Sequence, residues 1–133
     1  MNVYVESNFV LEHALQQEES QSCCDILGLA FRGQINLLIP AFSLAEPHQA
    51  ISSRAKIRSR LGDDLRKHLS ELARSKPHRE IPATFDALSG ALVESAQLER
   101  EGLKQTRSEI LSAAEVIPLT AAVLRSAAEI EVD

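Results

Sequence analysis

The sequence predicts a helix-rich α/β domain with a small parallel sheet flanked by helices. Short β-prone runs stand at residues 2–5, 35–39 and 115–119, and longer stretches with helical periodicity separate them. Strands separated by helices pair in parallel through right-handed crossovers. The length of 133 residues is that of one domain with its own hydrophobic core.

The first strand and helix are predicted from a change of pattern near residue 6. Residues 2–5 are β-prone, and the polar residues Glu6, Ser7 and Asn8 follow them. Apolar residues then recur at helical spacing through Leu15. We therefore expect the first strand to end at Glu6 and a helix to begin near Asn8.

A second helix is predicted over residues 22–31, and Gly33 is expected to end it. Cys23 and Cys24 lie in this helix. Because they are neighbours, a structural disulfide between them is not expected, and no second pair of cysteines offers metal-ligand spacing. The favoured interpretation is a small apolar residue on a buried helix face, and a reactive thiol is the alternative.

The second strand is predicted from the near-continuous apolar run at residues 35–39, which is typical of a strand covered on both faces. Pro40 closes this run. Ser43 and Glu46 have the spacing of a capping box, so a third helix is expected to begin here, with Pro47 tolerated near its first turn.

An apolar stripe predicts that this helical region continues as an amphipathic helix and stops before Pro77. The stripe consists of Ile57, Leu61, Leu65, Leu69 and Leu72. A long helix is predicted over residues 84–112, in which Gly90 and Gly102 are tolerated weak points. The third strand follows at residues 115–119, and Thr120 is a suitable cap for a last helix.

The net charge of −5 is unevenly distributed along the chain. Residues 51–80 hold nine basic and four acidic residues, whereas acidic residues dominate both flanking segments. Within this basic segment, Arg54 and Arg58 lie at the edge of the apolar stripe nearest Glu46, and they are candidate contacts to an RNA backbone. Pairs spaced i, i+4, such as Arg60 with Asp64, offer the alternative of a helix face that neutralises itself.

Other features limit the range of functions. Aromatic residues make up 4% of the chain, which leaves little material for stacking nucleic-acid bases. The four histidines show no metal-ligand spacing and are interpreted as surface or hydrogen-bonded side chains. The sequence shows neither a signal peptide nor a membrane span, and the cysteine content suits a reducing cytosol, so a cytoplasmic protein is expected.

Two carboxylates are candidate metal ligands. In an open parallel sheet, ligands bind at the carboxyl ends of the strands, where Glu6 and Glu46 both follow a strand. Mg²⁺ or Mn²⁺ takes hard oxygen ligands and keeps several waters, so a few carboxylates at a sheet edge can hold it. Simpler interpretations are also open: Glu6 as an exposed turn residue, Glu46 as half of a capping box with Ser43, and Ser7 or Asn8 as a helix start.

Three segments resemble PIN-domain nucleases. Residues 4–11 (Tyr-Val-Glu-Ser-Asn-Phe-Val-Leu) resemble the opening motif of that family, in which a strand runs into an acid, Thr or Ser, Asn and a helix. Residues 38–46 (Leu-Ile-Pro-Ala-Phe-Ser-Leu-Ala-Glu) resemble its second motif, and residues 116–119 (Val-Ile-Pro-Leu) resemble the strand that precedes its third acid. The resemblance spans nearly the whole chain.

This resemblance implies a three-layer domain and a metal-dependent endoribonuclease that cleaves single-stranded RNA. Glu6 and Glu46 would be catalytic ligands of Mg²⁺ or Mn²⁺, and Asn8 and Ser7 would orient metal-bound water. The protein would be a toxin with an antitoxin partner, and a homodimer is also expected from exposed leucines beside a sheet edge.

The sequence departs from the family in two ways. Glu6 stands where the family has Asp, and the family's third and fourth acids fall beyond the segments matched here, so a domain lacking its C-terminal part is expected. Asp133 is not assigned as the missing ligand. These departures favour the alternative of a catalytically inactive PIN-like module that binds RNA or a protein partner, and an unrelated α/β domain is the third possibility.

Overall fold

The computed structural model describes residues 1–130, without the side chains of residues 81–84 and 127–130. Residues 131–133, and with them Asp133, lie outside the described part. The elements along the chain are β1 (Asn2–Tyr4), α1 (Ser7–Ala14), α2 (Ser20–Phe31), β2 (Asn36–Pro40), α3 (Ala41–Leu72), a 3₁₀ turn (Lys76–His78), α4 (Ile81–Ala113), β3 (Ala114–Ile117) and α5 (Ala121–Ile130).

The three strands form one parallel sheet in the order β1-β2-β3. Tyr4 pairs with Leu38 at one side of β2, and Ile39 pairs with Val116 at the other. The pairing of β1 extends one residue further, since the backbone N–H of Val5 donates to the carbonyl of Leu38 at 3.0 Å. The predicted class, a helix-rich α/β fold with a small parallel sheet, is confirmed.

The chain divides into two compact units, Met1–His48 with Gly102–Asp133 and Gln49–Glu101. The first unit contains the sheet, and β2 supplies its most buried strand. Apolar side chains buried in this unit include Val5, Val10, Leu27, Leu37, Leu38, Ile39, Leu103 and Ile110. Burying one such side chain is worth about 1.5–3 kcal/mol, so the strongest local stabilisation surrounds the sheet.

The second unit is an antiparallel pair of helical segments from α3 and α4. Arg58 of α3 contacts Glu99 and Ser95 of α4, and Arg66 lies over the ring of Phe85 with 5.7 Å to its centroid. As the residue number rises on α3 it falls on α4, which shows the antiparallel direction.

The apolar stripe predicted on α3 is largely exposed. The exposed fractions are 66% for Ile57, 55% for Leu61, 42% for Leu65 and 44% for Leu72. Arg58 and Arg66, two charged residues of α3, contact α4 within this unit. The helical periodicity was therefore a correct sign of a helix, but most of the stripe is not core.

The helix ends follow local chemistry closely. Gly33 has a φ of +67° just after α2, a conformation that glycine adopts without strain. Thr120 Oγ1 accepts a hydrogen bond from the backbone N–H of Val123 at 3.3 Å, so the predicted cap of the last helix is confirmed.

Gly102 is a close-packing position rather than a tolerated weak point. A Cβ atom placed on Gly102 would lie 2.3 Å from the carbonyl oxygen of Ala14, at the end of α1. Gly90, on the same helix, has nothing within 4 Å of that position. Both glycines were predicted to be tolerated weak points, and for Gly102 this prediction was wrong because the close contact comes from α1, far away in the sequence.

Candidate functional site

Glu6 joins β1 to α1 at the carboxyl end of the strand. Its extended backbone, with a φ of −126°, places it as the N-cap of α1. Its carbonyl accepts backbone hydrogen bonds from Phe9 at 3.0 Å and Val10 at 3.4 Å, while its carboxylate makes no capping hydrogen bond. The Glu6 side chain is exposed. The backbone therefore places Glu6 at the sheet edge, and its carboxylate is not used to cap the helix.

Glu46 is brought to the first motif by Ser7. β2 passes into α3 without a loop, because Pro40 ends the strand and Ala41 begins the helix. Glu46 is an exposed residue of the second turn of α3, and its Oε2 accepts a hydrogen bond from Ser7 Oγ. Because Ser7 directly follows Glu6, this contact joins the two acidic motifs at one edge of the sheet.

The predicted capping box between Ser43 and Glu46 is absent. Ser43 is the third residue of α3, is fully buried, and its Oγ has no hydrogen-bond partner in the described part of the chain. The prediction was wrong because the helix begins at Ala41, directly after the strand, so Ser43 already has a helical position. Glu46 is consequently left free to accept from Ser7.

Arg107 fixes the turn of α3 that carries Glu46. Its Nε donates to the carbonyl oxygen of Leu44 at 2.7 Å, and its Nη2 donates to that of Ala45 at 3.5 Å. Pro47 contributes no backbone N–H to this part of the helix. Arg107 was not among the predicted site residues, and no local pattern points to it, because it lies more than sixty residues from its partners.

The remaining predicted site residues are spread over both units. Asn8 is exposed, and within the described residues its side chain makes no hydrogen bond. Arg54 is exposed as well, and it forms no salt bridge with the described side chains. Arg58 is half-buried and donates to Glu99 Oε1 at 2.8 Å and to Ser95 Oγ at 3.3 Å. Of the two candidate RNA contacts, Arg54 is thus the more available to bind a phosphate, because Arg58 is already paired with Glu99.

Arg58 also lines a groove within the second unit. The groove has a volume of about 450 Å³, and Arg66 and Arg100 are among the residues that line it. The expected i, i+4 neutralisation of α3 is not seen between its residues 54 and 72, where the salt bridge is the i, i+3 pair of Arg66 with Asp63 at 3.6 Å. Arg60 therefore does not form the i, i+4 pair with Asp64 that its spacing predicts.

The donor chemistry of the Glu6 and Glu46 edge suits a hydrated hard cation. Carboxylate and hydroxyl oxygens are the available groups, and Mg²⁺ is commonly held by one or two carboxylates together with water and substrate phosphate. Among residues 1–130, excluding the side chains not described, no group of three or more His, Cys, Asp or Glu residues is arranged to hold a metal ion. A metal here would depend on the two glutamates.

A second polar cluster lies at the other end of α1. His13 Nε2 lies 2.7 Å from Glu109 Oε2, and the Nε2 group of Gln105 donates to Glu109 Oε1 at 2.9 Å. The hydrogen bond from His13 and then that from Gln105 lower the pKa of Glu109 below its usual value. His13 was predicted to be a surface or hydrogen-bonded histidine, but His13 and Glu109 are 96 residues apart, so their pairing was not predictable.

Comparisons of the chain with known protein families, with curated proteins and with solved structures found no match. Within the described residues, no helix has both the length and the apolar composition needed to cross a membrane.

Proposed function

We propose that this chain is a metal-dependent endoribonuclease of the PIN type that cleaves single-stranded RNA. The carrying observation is the hydrogen bond from Ser7 Oγ to Glu46, which joins the two motifs that resemble the family. The parallel pairing of β1 with β2 supports the proposal, because it places the carboxyl ends of both strands side by side.

In this proposal Glu6 and Glu46 hold Mg²⁺ or Mn²⁺. Such an ion supplies an activated water and stabilises the charge of an in-line phosphoryl transition state. Ser7 orients the Glu46 carboxylate, Asn8 would orient a water at the metal site, and Arg107 holds the helical turn on which Glu46 lies. Arg54 and Arg58 contribute positive charge toward the RNA backbone, with Arg54 more available because Arg58 is paired.

The second candidate function is a catalytically inactive PIN-like module that binds RNA or a protein. The specific observation in its favour is the lack of any group of three acidic, His or Cys ligands among the described residues. The exposed apolar stripe of α3 favours a protein partner, which would be an antitoxin or a second copy of the chain. A cytoplasmic location remains part of both proposals.

The test is cleavage of a labelled single-stranded RNA with and without Mn²⁺, using Glu46→Gln as the main variant. Loss of a metal ligand is expected to reduce the cleavage rate by at least about 100-fold, since even outer-shell partners are worth 10- to 100-fold. Ser7→Ala is expected to reduce it by about 10-fold for the same reason. Glu18→Gln is the control, because Glu18 is an exposed carboxylate away from the sheet edge.

Calorimetry with Mn²⁺ separates the two candidate functions. Binding that disappears in Glu6→Ala supports the nuclease. The absence of both metal binding and Mn²⁺-dependent cleavage, combined with binding to RNA or a protein partner, supports the inactive module. Full cleavage by Glu46→Gln would show that the glutamate pair is not the catalytic centre.

A further inference from the structure

His13, Cys24 and Glu109 form a cluster that the nuclease proposal does not use. His13 lies in the last turn of α1, Cys24 in the second turn of α2 and Glu109 near the end of α4, all within the first unit. His13 is seven residues beyond Glu6, which is about 10 Å along the helix. The cluster is therefore separate from the glutamates at the sheet edge.

The hydrogen bonds of Glu109 determine which nitrogen of His13 carries a proton. Because the pKa of Glu109 is lowered by its hydrogen bonds, this carboxylate is ionised at neutral pH and can only accept. The Nε2 atom of His13, 2.7 Å away, must then be the donor. In the neutral imidazole the Nδ1 atom is consequently unprotonated, and this assignment rests on the hydrogen-bond pattern.

The unprotonated Nδ1 of His13 faces the thiol of Cys24. The distance from Nδ1 to the Sγ atom is 3.6 Å, within the range of a hydrogen bond that the thiol donates. Glu109, His13 and Cys24 are thus ordered as an orienting carboxylate, a base and a thiol. This is the arrangement by which a histidine activates a cysteine nucleophile.

The neighbouring cysteine has the opposite environment. Cys23 is buried, its Sγ atom donates to the carbonyl of Phe9 at 3.8 Å, and burial raises the pKa of its thiol. Cys24 is exposed to solvent. The molecule therefore carries an internal reference, because the two adjacent thiols differ in access and in partner.

We propose that Cys24 is a thiol-modification site for small cationic disulfides, with His13 as its base and Glu109 as the positioning residue. The cationic class follows from the local charge, since residues 12–25 contain Glu12, Glu18, Glu19 and Asp25 and neither Lys nor Arg. Such a surface attracts positive molecules and repels anionic ones.

The reaction is thiol–disulfide exchange. His13 Nδ1 takes the thiol proton of Cys24, and the thiolate attacks one sulfur of the small disulfide. A bond forms between that sulfur and Cys24 Sγ while the original disulfide bond breaks. The departing thiolate then receives the proton from His13. Cys24 is oxidised to a mixed disulfide, the departing half is reduced, and no other oxidant is needed.

The fraction of thiolate and its nucleophilicity limit how much faster Cys24 can react than an ordinary cysteine. An ordinary cysteine is only a few per cent thiolate at neutral pH. Complete conversion to thiolate therefore gains about 30-fold at most, and the weaker nucleophilicity of a more acidic thiol reduces the best net gain to about 3- to 4-fold.

The experiment measures the rate at which the intact protein reacts with cystamine at neutral pH, followed by acid quenching and peptide mass mapping. The reference thiol is a synthetic peptide of residues 20–28 carrying Cys23→Ser, which presents Cys24 without His13. We expect Cys24 to react about 3- to 4-fold faster than the peptide, and Cys23 to react far more slowly than Cys24.

Two variants test the roles of the partners. His13→Gln and Glu109→Gln are each expected to bring the Cys24 rate close to that of the peptide, while Cys23 stays slow. The Cys23 rate reports loosening of the helices, so a merely structural effect would raise it. The proposal is overturned if wild-type Cys24 reacts no faster than the peptide, or if both variants keep the wild-type rate.

Discussion

Replacing Gly102 with Ala tests the close approach of α4 to the end of α1. The new Cβ atom would lie 2.3 Å from the carbonyl oxygen of Ala14, so one backbone must move. Overpacking of this kind costs about 1–3 kcal/mol. The change also removes a helical glycine, which returns about 0.5–1 kcal/mol. We expect Gly102→Ala to lower the free energy of unfolding by up to about 2.5 kcal/mol.

Gly90→Ala is the matched control on the same helix. Nothing lies within 4 Å of its added Cβ atom, so only the gain in helix propensity remains. We expect this variant to raise the free energy of unfolding by about 0.5–1 kcal/mol. The propensity gain is common to both variants, so they should differ by the overpacking cost alone, about 1–3 kcal/mol, although they make the same chemical change.

The assay is urea unfolding followed by far-ultraviolet circular dichroism. With a urea dependence of about 2 kcal/mol per molar, the difference between the variants separates their midpoints by about 0.5–1.5 M. Equal stabilisation by both alanines would refute the close approach of Gly102 to Ala14. A destabilised Gly90→Ala would instead refute the open surroundings of that position.

Two further predictions concern hydrogen bonds between distant elements. Arg107→Ala should lower the free energy of unfolding, measured by urea titration, by about 1.5–3 kcal/mol, because two backbone carbonyls lose a charged donor. An unchanged urea midpoint would show that these hydrogen bonds contribute nothing to stability. For Glu109, whose folded pKa is lowered from 4.5, the stabilisation is present above pH 4.5 and is lost as the pH falls through the lower folded value. The midpoint temperatures of thermal unfolding of wild type and Glu109→Gln should therefore differ at neutral pH and converge in acid. A difference in midpoint that stays constant with pH would contradict this linkage.

Local sequence patterns predicted the elements well where local chemistry determines them. The apolar run that ends at Pro40 became the central strand, Gly33 adopted the left-handed conformation after α2, and Thr120 capped the last helix. Each of these outcomes depends on residues within a few positions of one another. The parallel pairing of the strands followed from the alternation of strands and helices.

The same patterns failed where a distant partner decides the outcome. Ser43 and Glu46 had the spacing of a cap, but the strand runs directly into the helix, and Glu46 accepts from Ser7 instead. Gly102 leaves room for the carbonyl of Ala14, and Arg107 donates a hydrogen bond to a backbone carbonyl near the start of α3. Spacing alone cannot show such contacts, because they depend on which helices approach each other.

Because β2 passes directly into α3, the number of residues between Pro40 and Glu46 determines the direction in which the Glu46 side chain points. With no loop to absorb a change in length, each residue added or removed between Pro40 and Glu46 turns the glutamate by about 100° around the helix axis. One such change would swing the carboxylate away from Ser7 while leaving both the strand and the helix formed. We therefore expect an insertion or deletion at this junction to disrupt the contact between Ser7 and Glu46 more than most substitutions would.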